Sequence, residues 1–157
     1  MRPFRKILVA TDFSPASDAA FQEAVRLVRE SGAALYVFHA YEPPSSLAYV
    51  PAGVYAEGAR AARTQAKEKL EQLMRGMSLA YVWVKPVLRK GIPEDAIVQA
   101  AKREGVDLIV MGTHGRRGAS RLLAGSVAAR VVATASCPVL TVRAAAKVVS
   151  VRRSPAA

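Results

Sequence analysis

Five short apolar runs, at residues 6–10, 35–41, 81–88, 106–111 and 139–142, alternate with stretches of helical periodicity. Few architectures accommodate that alternation. The first run, Lys6-Ile7-Leu8-Val9-Ala10, shows no in–out pattern, so it reads as a strand buried on both faces. Strands of this kind, separated by helices, build an α/β fold with an open, mostly parallel sheet and helices on both sides. Its crossovers are expected to be right-handed. Ligands in such sheets sit beyond the carboxyl ends of the strands, where the strand order reverses.

Local signals set the boundaries. Ser14-Pro15 reads as an N-cap followed by proline at the first helical position. Ala20, Ala24, Leu27 and Val28 then share a face, and Gly32 stops the helix. The two prolines in Glu42-Pro43-Pro44-Ser45-Ser46 make that stretch irregular. A long helix is expected over about 53–77, its stripe formed by Ala66, Leu70, Leu73 and Met74. Pro86 places the third strand at an edge. The Tyr81/Trp83 alternation reads as packing one sheet face rather than stacking bases. Pro93 opens a helix that buries Ala96, Ile97, Ala100 and Ala101 and ends at Gly105. Val127, Val131 and Val132 form the stripe of the last helix.

Two strand ends carry polar chemistry. Asp12 follows the first strand. After the fourth, Leu108-Ile109-Val110-Met111 stops at Gly112 and a glycine-rich loop follows, with Gly115 and Gly118 flanking Arg116 and Arg117. The pattern closes as Gly112-x2-Gly115-x9-Gly125-Ser126 before a helix. Glycines let backbone N–H groups turn toward an anion, and a helix start adds unpaired N–H groups and a positive dipole end. The stretch is a candidate phosphate loop, and a plain tight turn is the other reading of its glycines. Asp12 can accept from ribose hydroxyls or hold Mg²⁺ through water, or it can cap the next helix. Ser126 can bond a phosphate or only cap its helix. His114 can donate to a phosphate or face solvent, and Arg116 and Arg117 can clamp phosphates or be surface charges. His39, within a strand, reads as structural.

At 157 residues the chain is long enough for one domain with a real core. No apolar run spans a bilayer, and residues 1–6 lead straight into a strand, so a cytoplasmic location is expected. Cys137 is the sole cysteine, which removes internal disulfides; it reads as a small buried hydrophobe. The net charge of +11 favours anionic partners, or is a solvated basic surface.

These residues resemble a universal stress protein of the ATP-binding type. That family's signature, G-x2-G-x9-G-[ST], is met without a gap by Gly112, Gly115, Gly125 and Ser126. Residues 9–14, 38–43 and 137–140 are similar to its first, second and last strands, and the likeness runs to about Arg143. The resemblance implies a Rossmann-like sheet of order 3-2-1-4-5 in one nucleotide-binding domain over 1–143; the basic tail over 144–157 has no counterpart in the pattern and is expected to be loosely ordered. The resemblance also implies a homodimer through the last strand and bound ATP, which Asp12 can hold with or without Mg²⁺. Ala10, Thr11 and Asp12 would lie on the adenine and ribose side, with Ala40 and Met111 lining the base pocket. Gly112, His114, Gly115, Gly125, Ser126 and Val127 would surround ribose and phosphates. Ala128 departs from members that carry a hydroxyl there.

The expected function is that of a nucleotide-dependent regulator of the stress response. An ATP-using enzyme is the main alternative. Against it, Ala119 follows Gly118 where a G-x4-G-K-[ST] loop needs lysine, and no paired carboxylates or activated nucleophile accompany the glycine loop. Slow hydrolysis needs only an oriented water. A binder of nucleic acid or acidic partners is the third reading, but no helix-turn-helix or aromatic–basic stacking pattern supports it.

Overall fold

The computed structural model describes residues 4–43, 49–76, 79–113 and 127–144. Pro44, Ser45 and Ser46, the glycine loop over 114–126 and the tail from 145 lie outside the described residues.

The chain runs β1 (Lys6–Ala10), α1 (Pro15–Ser31), β2 (Ala34–Tyr41), α2 (Ala52–Arg75), β3 (Val84–Lys90), α3 (Pro93–Glu104), β4 (Leu108–Gly112), α4 (Val127–Thr134) and β5 (Val139–Val142). The sheet has the order β3-β2-β1-β4-β5, and every pairing is parallel. The order therefore reverses between β1 and β4, where Ala10 pairs with Met111.

Two apolar layers hold the sheet. On one face, Ile7, Val9, Leu35, Val37, Leu108 and Val110 pack with Phe21, Ala24 and Val28 of α1 and Leu70 of α2. On the other, Leu8, Tyr36, Phe38, Ile109 and Met111 pack with Ile97 and Ala100 of α3 and Val131 of α4. Strands covered on both sides have no polar face to show, which is why β1 and β4 are apolar throughout their middles. Pro86 lies on β3, which among the described residues pairs only with β2, so its missing N–H interrupts no ladder between strands on both sides.

Helix ends follow local chemistry. Ser14 caps α1, and Gly32 and Gly105 close α1 and α3 in the left-handed conformation at φ 70° and 64°. The amide of Val106 donates to Ala101 O, so Val106 belongs to the cap of α3, and β4 begins at Leu108 rather than at 106. The third strand is also displaced. It starts at Val84, and Tyr81 sits before it at a positive φ of 65°, fully exposed. Trp83 is 57% exposed. The expectation that both rings pack a sheet face fails for Tyr81 and holds for only part of Trp83, which leans on Tyr36 at 5.6 Å between ring centroids. In α4, Val131 is buried but Val132, one position on and about 100° further round the helix, turns outward.

Candidate functional site

The carboxyl ends of β1 and β4 are held together by a close approach. A Cβ added at Gly112 would stand 2.8 Å from the carbonyl carbon of Ala16 and 2.9 Å from its oxygen. Those are backbone atoms of the first turn of α1, which cannot swing aside as a side chain can. Gly112 thus lets the end of β4 lie against the start of α1, a reason for glycine that its spacing alone did not disclose.

The turn between β1 and α1 is fixed by its own side chains. Thr11 is buried, and its hydroxyl accepts from the amide of Phe13 at 3.0 Å and meets Ser17 Oγ at 3.1 Å. Its amide donates to Phe38 O at 2.9 Å. Its carbonyl lies 2.8 Å from His39 Nδ1; a carbonyl only accepts, so Nδ1 carries the proton. Asp12 Oδ1 accepts from the amide of Ser14 at 3.1 Å. Ser14 and Ser17 then cap one another, each side chain accepting from the other's amide. Serine in the third helical position does here what glutamate or glutamine does in the common capping box.

Phe13 is the strained point. Its φ is 63°, which costs a residue with a Cβ roughly 1–2 kcal/mol. The bond to Thr11 Oγ1 and a tilted ring contact with His39, 4.5 Å between centroids, hold it there. Neither Phe13 nor Ser17 stood out in the sequence, although serine three positions after Ser14 is a visible signal.

The described site residues fall into two groups. Ala10 and Met111 belong to the buried cluster on the α3/α4 face, and Ala40 and Val127 pack against it. They form an apolar wall at the strand ends. Thr11 and Asp12 belong to the capped turn before α1, with Gly112 against it. Thr11 uses its amide, carbonyl and hydroxyl inside the fold and so fixes the turn that carries Asp12. Through Oδ1, Asp12 forms an Asp turn onto the amide of Ser14, the residue that caps α1. Ala128 lies in the same apolar cluster as Met111. His114, Gly115, Gly125 and Ser126, with Arg116 and Arg117, lie outside the described residues.

The same end of the sheet carries Lys90, whose ammonium donates to Tyr55 Oη at 2.8 Å; that bond raises its pKa. At the opposite end of β5, desolvation pushes the half-buried Cys137 thiol up, with the Asp107 carboxylate adding to the effect. An open groove of about 540 Å³ between α1 and α2, lined by Phe13, Phe21, Lys69 and Leu73, lies on the other face of the sheet from the apolar wall. Its position sets it apart from the β1/β4 crevice.

Comparison with known proteins agrees with this arrangement. The sequence pattern of the Universal stress protein family matches residues 3–143. A universal stress protein of Thermus aquaticus is 39% identical over 143 residues, 89% of this chain and 99% of the relative. The solved structure of the Methanocaldococcus jannaschii protein MJ0577 superposes with a TM-score of 0.79 at 29% identity, covering 90% of this chain and 96% of that one. A universal stress protein solved in complex with cAMP superposes with a TM-score of 0.62 at 25% identity, covering 90% and 98%. The parallel five-strand sheet of order β3-β2-β1-β4-β5, with its glycine signature beginning at the end of β4, is that of a member of the universal stress protein family, to which this chain belongs.

Proposed function

We propose that the protein is an ATP-binding regulator, its nucleotide lodged between the carboxyl ends of β1 and β4. The observation that carries this reading is one of position. Gly112, the first glycine of the signature, closes β4 directly beside the end of β1, at the reversal of strand order. That is where α/β sheets of this kind bind ligands. The cAMP complex of a relative supports a nucleotide as the ligand class.

The residues at hand fit such a ligand. Ala10, Ala40 and Met111 offer an apolar wall for a base, and Val127 packs at its margin on the side of the ribose and phosphates. Asp12 accepts from ribose hydroxyls and holds Mg²⁺ through water when the phosphates bring it. Gly112, His114, Gly115, Gly125 and Ser126 wrap the ribose and phosphates, mainly through backbone N–H groups. Nucleotide occupancy then sets the conformation of the glycine loop. The outer edge of β5, which has no partner strand among the described residues, pairs with a second copy, so occupancy is communicated through a homodimer.

Mass spectrometry of nucleotide released on denaturing the purified protein, with calorimetric titration of Mg·ATP into the stripped protein, tests the proposal. Stoichiometric ATP is the expected result, with Gly125→Val abolishing binding and leaving the far-UV spectrum unchanged. A stripped protein that takes up no ATP overturns the phosphate-loop reading. Preference for AMP or cAMP over ATP keeps the site and overturns the choice of nucleotide. An ADP time course on the loaded protein then asks whether turnover accompanies binding.

A further inference from the structure

The other end of the sheet holds a second concentration of chemistry that a nucleotide in the crevice leaves unused. Glu104, in the last turn of α3, is surrounded by cations. Lys85 Nζ reaches its carboxylate at 2.8 Å and Arg89 at 3.9 Å, and Lys6 Nζ donates to its backbone carbonyl at 2.7 Å. Lys102 and Arg103, exposed, precede it on the same helix. The Glu104 side chain is only 12% exposed, so the one carboxylate is covered while the cations around it face water. Asp107, nearby, is turned to the backbone amides of Arg5 and Lys6.

Aromatic surface adjoins this charge. Trp83 precedes β3 on the side of Lys85 and leans on Tyr36, while Lys85 Nζ stands 5.6 Å over the Tyr36 ring. More than half of Trp83 remains open to solvent, and Tyr81 beside it is fully exposed. β3 is an edge strand with Pro86 in its middle, so this is not a row of backbone groups waiting for another strand. An exposed indole beside cations that outnumber their acids suits one class of partner. Single-stranded nucleic acid supplies both phosphates for the cations and unpaired bases for the ring. An acidic peptide matches the charge alone.

We infer that the β3 edge and the carboxyl end of α3 form a binding surface for single-stranded nucleic acid, with Trp83 stacking on a base and Lys85, Lys102 and Arg103 contacting phosphates. The surface uses the amino-terminal end of β3, away from the β1/β4 crevice, and does not depend on the nucleotide reading. The chain's net charge of +11 brings the polyanion in.

Trp83 is the sole tryptophan, so its fluorescence reads the proposed contact directly. The full chain is titrated with a dodecamer of oligothymidylate, first without nucleotide and then with saturating Mg·ATP. The expected result is quenching of Trp83, with affinity that falls as salt rises. By anisotropy of a labelled dodecamer, Trp83→Ala weakens binding about tenfold, while Trp83→Phe keeps most of it. Reversing Lys102 and Arg103 together to glutamate lowers the salt slope by about 1.4, the value for two phosphate contacts on a single strand. Three outcomes overturn the inference: no quenching, equal quenching by polyglutamate of matched charge, or displacement of the dodecamer by ATP. The second assigns the surface to acidic proteins and the third returns the binding to the crevice. Retained secondary structure in the variants is checked by circular dichroism.

Discussion

Two strand-to-helix turns in this molecule begin from the same local signal and are built in opposite ways. Both α1 and α3 have proline in their first turn. Before α1, the side chains of Thr11, Asp12, Ser14 and Ser17 hold the turn in a closed set of hydrogen bonds. Before α3, Ile92 stands at the cap position with no side-chain bond, and the turn depends on Gly91 at φ 137° and its amide bond to Tyr41 O. The first turn lies at the reversal of strand order and the second at the edge of the sheet. Polar groups that order a turn in advance reduce what a ligand must order on arrival. The contrast therefore separates a turn fixed by its own side chains from one held by a glycine conformation and a backbone bond.

The largest break in that contrast comes from Gly112→Val. A side chain there meets the Ala16 backbone, so α1 must retreat from the end of β4. The expected loss is about 3 kcal/mol in urea unfolding, the upper part of the range for overpacking. An unchanged midpoint would mean that the two strand ends are not locked together. Next comes Thr11→Val, which keeps the shape and removes the hydroxyl. The Phe13 amide loses its acceptor and Ser17 Oγ keeps only its bonds with Ser14, so a loss of about 2 kcal/mol is expected. At the other turn, Gly91→Ala is strained by its φ and costs about 1–3 kcal/mol, yet ATP affinity should not move. Loss of ATP affinity in Gly91→Ala would break the distinction between the two turns.

Asp12 sharpens the comparison because two substitutions divide its roles. Asparagine can still accept from the Ser14 amide, whereas alanine cannot. Asp12→Asn should keep stability within about 0.5 kcal/mol, and Asp12→Ala should lose about 1 kcal/mol. If the carboxylate meets ribose or Mg²⁺, both variants weaken Mg·ATP, with alanine losing about 1–3 kcal/mol of binding by calorimetry. Full affinity in both would leave Asp12 with its turn alone.

The fold was legible because its cause is local and repeated. Apolar runs set the strands, and glycine and proline set their limits; β1 and β5 match their expected bounds residue for residue. The displaced elements mark where that logic stops. Val106 looks like strand but caps α3, because a helix end and a strand start compete for the same short apolar stretch. Tyr81 and Trp83 alternate like strand residues, but alternation is silent about whether a neighbouring helix covers them. At the site, composition and spacing pointed to Asp12 and Gly112. They could not show that Thr11 turns inward, that His39 holds its carbonyl, or that Phe13 sits at positive φ. The first two depend on which strand lies beside which, and strand adjacency is absent from any single segment; the third rests on a turn bond to Thr11 that composition does not reveal.

The smallest expected effects test the caps themselves. Ser14→Ala removes an acceptor from the Ser17 amide and half of a reciprocal cap, so about 1 kcal/mol should be lost. Ile92→Ala at the corresponding place before α3 removes no cap bond. Ile92 is 53% exposed, and its substitution should stay within about 0.5 kcal/mol. Amide exchange reports the same difference locally. Protection in the first turn of α1 should fall in Ser14→Ala, while that of α3 should be unaltered in Ile92→Ala. If the two substitutions prove equally mild, the closed set of bonds around Ser14 adds little rigidity. The advantage of the central turn would then reside in Thr11 and the Gly112 contact, and Asp12 would be presented by packing rather than by capping.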